Sequence, residues 1–138
     1  MTQNLDQWAT WCEIHSQPAI WREWGAHLDV AGLRAWIAAQ SFDEVWFCGA
    51  GTSAYIGDII AEAVKCTRSV PTTDIVASPS HFLTGAKPLV VNFGRSGNSA
   101  ESVGTLDDLD ALAPHTPRIN ITCNKAVSYT HLTLPTKA

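Results

Sequence analysis

Two short stretches carry the residue types that bind anions. Gly51-Thr52-Ser53 and Arg95-Ser96-Gly97-Asn98-Ser99 each combine glycine with hydroxyl side chains, and each follows an apolar run. Leu89, Val90, Val91 and Phe93 read as a strand buried on both faces that stops at Gly94. Val45-Trp46-Phe47-Cys48 is a run of the same kind, ending in Gly49-Ala50. A helical pattern follows each turn. A strand, a glycine turn and a helix start together aim backbone N–H groups, hydroxyls and the positive end of a helix dipole at one point, which suits a phosphate. Ser53, Ser96 and Ser99 would donate through Oγ. The amides of Thr52, Gly97 and Asn98 would form an anion nest, and Arg95 would add charge or a fork. Each serine also has a plainer role as a helix N-cap, and Asn98 with Glu101 has the spacing of a capping box. Capping and anion binding exploit the same free N–H groups, so they coexist.

A rival chemistry uses the first turn alone. Gly49-x-Gly51 with Ala54 satisfies the dinucleotide fingerprint, and Asp74 is the acidic residue expected about twenty positions on. Against an NAD site, the hydroxyls of Thr52 and Ser53 fill the place where bare glycine would let a pyrophosphate approach. The second hydroxyl turn would also go unexplained.

The elements that must position these turns follow from periodicity. Asn4 to about His15 reads as a helix with Leu5, Trp8, Trp11, Cys12 and His15 on one stripe; Gln17-Pro18 breaks it. Pro18 could open a short helix with Trp21 and Trp24, which Gly25 interrupts. A further helix is expected from about Leu28 to Gln40, with Leu33, Trp36 and Ile37 inward. Five of the six tryptophans fall in this first segment, which favours packing against a sheet or partner chain over stacking on a ligand. Ala54 to Lys65 is predicted helical with Ile56, Ile59, Ile60, Ala63 and Val64 inward. Val70 to Val76, rich in β-branched residues, is predicted as a strand, edge-placed or starting at Pro71. His81-Phe82-Leu83 has room for one helical turn. Ala100 to Ala113 is a helix carrying Val103, Leu106, Leu109 and Leu112, with Asp107, Asp108 and Asp110 on a solvated side. Arg118 to Cys123 is a last strand. Alternating strands and helices predict an α/β fold with a parallel sheet flanked by helices, its ligand edge at the strand C-termini.

The 138 residues suit one domain, and 46% hydrophobic content supports a packed core. A net charge of −4 without a basic stripe argues against a nucleic-acid partner. The four cysteines, Cys12, Cys48, Cys66 and Cys123, fit neither a zinc site nor a disulfide framework. Cys48 and Cys123, in apolar strand runs, read as small core residues. The pattern fits a reducing, cytoplasmic setting. No secretion signal opens the chain and no apolar run reaches membrane-spanning length. The reading calls for no cofactor and no metal.

GAGTSAYIGD, TTDIVASP, NFGRSGNSAES and ITCN resemble, in order, the sugar isomerase (SIS) domain. QPAIW (Gln17 to Trp21) resembles the leading segment of the tagatose-6-phosphate ketose/aldose isomerase family, whose members also act as amino-sugar-phosphate deaminase/isomerases. The resemblance runs from about Ile14 to Asn124. It implies a flavodoxin-like three-layer fold, with a helical segment at 1–42 and a partial SIS domain at 43–126. It also implies a phosphorylated hexose or amino sugar as ligand, bound by Gly51, Thr52, Ser53, Arg95, Ser96, Gly97, Asn98 and Ser99. The implied chemistry is isomerisation, or deamination with hydrolysis, in galactosamine or tagatose phosphate catabolism, by a homo-oligomer in the full-length protein. Gly94 departs from the first serine of the general S-x-S-G-x-[ST] pattern, which puts one hydroxyl contact in doubt. Proton transfer needs a carboxylate or imidazole near the sugar; within this chain Glu101, Asp74 and His81 are the candidates and none stands out, and the resemblance implies that the acid/base residues lie largely in a second SIS domain. SIS domains also serve as sugar-phosphate sensors, although no helix-turn-helix or basic patch supports a regulator here. Val127 to Ala138 resembles a translated sequencing adapter, so the tail at 127–138 reads as non-native and the chain as an inactive fragment.

Overall fold

A computed structural model describes residues 5–123. The expected features of the tail and of Asn124 lie outside the described residues. The chain divides into two compact units, Met1–Ile37 and Ala38–Ala138.

In the first unit a 3-10 turn at Leu5–Gln7 precedes α1 (Ala9–His27) and α2 (Val30–Ala38). The break expected at Pro18 does not occur, and Gly25 does not interrupt: α1 runs through both. An internal proline removes one ladder bond at a cost of about 3 kcal/mol, and local contacts brace the helix on either side of it. The Trp11 and His15 rings meet at a tilt of 33°, their centroids 3.9 Å apart. The Ser16 hydroxyl donates to the Glu13 carbonyl at 2.8 Å, and Arg22 Nε donates to the Pro18 carbonyl at 3.1 Å. No residue of α1 is buried; Trp8 and Trp21 stand 59% and 66% exposed.

The second unit is a parallel sheet of β1 (Glu44–Gly49), β2 (Thr67–Ser69), β3 (Pro88–Phe93) and β4 (Arg118–Ile121), in spatial order β2-β1-β3-β4. Between them lie α3 (Thr52–Ala63), α4 (Thr72–Ala77), α5 (Pro79–Leu83) and α6 (Ala100–Leu112). The crossover through α3 runs outward from β1 to one side, and that through α6 runs from β3 to the other. Right-handed connections therefore place α3 and α6 on opposite faces. The contacts agree. Trp46, Cys48 and Val90 form the core with Ile75, Leu83, Leu106 and Leu109, which come from α4, α5 and α6. Phe47, pointing the other way by strand alternation, lies beneath Gly57 of α3.

Three expectations change. The stretch VPTTDIV is not a strand: β2 lies earlier, at Thr67–Ser69, and Pro71 caps α4. Proline with a fixed φ suits a helix entry, Asp74 complements the dipole in the first turn, and Thr72 and Ile75, three apart, are both fully buried. These short-range preferences outweigh β-branched content over so few residues. The inward face of α3 is also different. Gly57 is its buried residue, while Ile56, Ile59 and Val64 are exposed, and Ala63 lies outward too. A Cβ at Gly57 would come within 3.0 Å of Phe47, so the helix lies too close to the strand for a large side chain to intervene. Finally, Cys48 is buried as expected but Cys123 is exposed, just past the end of β4.

Candidate functional site

β1 and β3 are neighbours, paired through Gly49 opposite Phe93. Both turns therefore leave the same sheet edge, from adjacent strands about 4.8 Å apart. Because α3 and α6 then diverge to opposite faces, the edge between them is a topological switch point, where open α/β sheets take ligands.

The first turn is tight. Gly51 adopts φ +55 and ψ −129, a conformation that side chains resist. It lets the chain reverse straight into α3, with the Ser53 N–H donating to the Ala50 carbonyl at 3.1 Å and the Ala54 N–H to the Gly51 carbonyl at 3.0 Å. The amide of Thr52 lies at the helix start, ahead of any intrahelical bond. Ser53 is half-buried against Gly49, whose missing Cβ would fall 2.8 Å from the Ser53 backbone.

The second turn is pinned to β4. The Gly94 N–H donates to the Ile121 carbonyl at 3.0 Å, and the Arg95 carbonyl accepts from the Cys123 N–H at 3.0 Å and the Thr122 hydroxyl at 3.2 Å. The Arg95 side chain is exposed. Gly97 takes φ +66, and the Asn98 N–H donates to Ser96 Oγ at 3.3 Å. The helix begins one residue later than a capping box at Asn98 and Glu101 would have it. Ser99 is the N-cap, accepting from the Ser102 N–H at 3.3 Å, and its hydroxyl donates to Ser102 Oγ at 3.0 Å. Gly94 has ordinary room at its Cβ position, 3.5 Å from Gly97 Cα and Ser102 Oγ, so a serine there would fit without moving the turn.

The structure brings Gly51, Thr52, Ser53, Arg95, Ser96, Gly97, Asn98 and Ser99 to one edge. It does not gather the proton-transfer candidates. Asp74 is on the exposed first turn of α4, and exposed His81 on α5 packs edge-on against Phe82 at 5.1 Å. Glu101 is half-buried on the first turn of α6. The placement of Asp74 also removes the support it lent to a dinucleotide site: β2 ends at Ser69, and no acidic residue closes it.

Two features escaped the sequence reading. Ser102, only 3% exposed, lies behind Ser99; the Ser99-x-x-Ser102 spacing was the available signal. Asn92 and Asn120 stand opposite each other on β3 and β4, both buried, with Asn92 Oδ1 and both Asn120 amide atoms lacking a partner among the described residues. Opposite Asn92 on the neighbouring β1, burial pushes the Cys48 thiol up to about 12 because water is excluded.

No family model matches the chain. It is 38% identical over 125 residues to a D-galactosamine-6-phosphate deaminase AgaS of Shewanella sp. (strain ANA-3), covering 81% of this chain and 32% of that protein. It is 40% identical over 134 residues to the D-galactosamine-6-phosphate deaminase AgaS of Escherichia coli, covering 85% and 34%. The crystal structure of tagatose-6-phosphate ketose/aldose isomerase from Escherichia coli superposes with a TM-score of 0.68 at 35% identity, over 84% of this chain and 34% of that one. The chain thus spans about one third of the length of the curated relatives it matches. Over that third the chain is homologous to these galactosamine-6-phosphate deaminases, and its parallel sheet with flanking helices is the SIS-type α/β fold of the tagatose-6-phosphate ketose/aldose isomerase structure.

Proposed function

We propose that the two turns hold the phosphate of a phosphorylated hexose or amino sugar, and that the protein deaminates or isomerises that sugar. The observation that carries this reading is the in-register pairing of Gly49 with Phe93, which sets two glycine and hydroxyl turns side by side at two helix N-termini. A phosphate dianion there would meet the Thr52 amide, the hydroxyls of Ser53, Ser96 and Ser99, and the amide of Gly97, with Arg95 free to swing over it from the exposed rim. Holding the phosphate fixes the sugar so that its first two carbons lie at a constant distance from the strand ends, and proton transfer between them is then a matter of position. Relatives named for galactosamine 6-phosphate and tagatose 6-phosphate support this substrate class.

Among the described residues no helix is long and apolar enough to cross a membrane. We place the protein in the cytoplasm, where its free cysteines would stay reduced. We expect the complete protein to be a homo-oligomer, in keeping with the exposed Tyr55, Ile56 and Ile59 of α3.

Calorimetric titration tests the reading. Galactosamine 6-phosphate and tagatose 6-phosphate should bind, the unphosphorylated sugars and NAD should not, and Ser53→Ala or Ser96→Ala should weaken binding roughly tenfold, as expected for one charge-assisted hydrogen bond. Equal binding of a sugar with and without its phosphate would overturn it.

A further inference from the structure

We propose that Ser102 is a positioning residue of the phosphate site, acting through Ser99. This rests on the reading that the turn from Gly94 to Ser99 holds a phosphate. The Ser99 and Ser102 hydroxyls lie 3.0 Å apart, a distance at which either can donate to the other. An anion at the rim only accepts, and Ser99 has a single hydroxyl proton. Binding therefore fixes, by rotation of both hydroxyls, the one arrangement that leaves the Ser99 proton for the anion. Ser102 O–H donates to Ser99 Oγ, and Ser99 O–H donates to the phosphate oxygen; no proton leaves either side chain. The Ser102 N–H to Ser99 bond at 3.3 Å survives this rotation, so the helix cap is kept in both states.

Burial makes Ser102 suited to the task. It is 3% exposed, so its hydroxyl has no water to fall back on, and Ser99 is its hydrogen-bond partner on both sides of the exchange. It also faces the floor of the turn, with its Oγ 3.5 Å from the position a Gly94 Cβ would occupy. A second buried group lies close along the chain: Asn92, 5% exposed and two residues before Gly94, has its Oδ1 without a partner. The underside of this turn is thus lined for polar contact rather than for packing. A hydroxyl that donates to a second hydroxyl polarises it, so the outward bond to the anion is strengthened.

The test is a set of titrations of the chain with galactosamine 6-phosphate and, separately, inorganic phosphate. Ser102→Ala, which keeps the backbone N–H and hence the cap, should weaken binding of both about fivefold, and Ser102→Thr should restore it to within about twofold. Ser99→Ala should weaken binding at least as much, and the double variant should bind no worse than Ser99→Ala alone, because the two act as one unit. Circular dichroism melts identify variants that bind poorly only because they have unfolded, and for these the Ser102→Thr rescue decides. Wild-type binding matched by Ser102→Ala, or additive losses in the double variant, would overturn the role of Ser102 and leave the phosphate site standing. Failure of the unaltered chain to bind either probe would overturn both.

Discussion

The helix that opens at Thr52 and the helix that opens at Ala100 meet the sheet by opposite means. α3 lies on it through backbone: Gly57 sits against Phe47, Gly49 against Ser53, and the large residues Tyr55, Ile56 and Ile59 point away. α6 lies on it through side chains, with Leu106 and Leu109 driven into the core and Ser102 and Thr105 buried beside them. Its start is fastened by the Ser99 cap, whereas α3 has no side-chain cap at all. The lesson is that one site can be held from two sides by different physics. On the α3 side, close approach sets the geometry, and any added atom disturbs it. On the α6 side, packing volume sets it, and any removed atom does.

That contrast can be broken by exchange of roles. Leu109→Ala should cost about 3 kcal/mol in denaturant unfolding, the usual loss for a buried leucine, while Ile59→Ala, at a position 72% exposed, should stay within about 0.5 kcal/mol. Comparable losses at both would erase the distinction. Gly49→Ala is the complementary insult, adding one carbon 2.8 Å from backbone. It should destabilise by about 2 kcal/mol and, by displacing Ser53, should weaken phosphosugar binding in the same preparation; unchanged binding would mean that Ser53 does not matter. The last test concerns dryness, and near neutral pH its effect vanishes. Cys48 lies in the core on the α6 side, and its thiol is pushed from 9.0 to about 12 by burial. A raised folded pKa means that the unfolded chain ionises first, so stability is intact below pH 9 and falls between about pH 9 and 12. The expected slope is about 0.7 kcal/mol per pH unit at about pH 9 and approaches about 1.4 above it. Cys48 should also resist a thiol reagent that labels the exposed Cys12, Cys66 and Cys123.

How legible each part was in the sequence follows the same divide. β1, β3, β4 and α6 could be read because most of their apolar residues are buried or half-buried, Leu112 at the end of α6 excepted, so periodicity reports burial directly. α3 could be located but only partly oriented: Ile60 is half-buried as expected, but Ile56 and Ile59 face outward, and the most buried position is Gly57, to which a hydrophobic pattern is blind. α4 was hidden by β-branched residues whose strand preference is weaker, over six positions, than a proline entry and two buried side chains three apart. The course of α1 through Pro18 could not be seen either, since the contacts that brace it are between side chains and carbonyls. Of the site, glycine and serine spacing revealed both turns. What spacing could not reveal was which serine caps the helix and which stands behind it, because that depends on where α6 begins to within one residue.

Gly57 lies one helical turn beyond Ser53, on the surface by which α3 touches Phe47. A methyl group inserted there would act as a wedge beneath a beam: the strand is fixed by its neighbours on either side, so the helix must lift. The lift would be passed along a rigid backbone to its first residues, raising Ser53 and Thr52 from the rim. The depth at which the first turn presents its hydroxyls is therefore governed from a distance, by a residue with no side chain of its own.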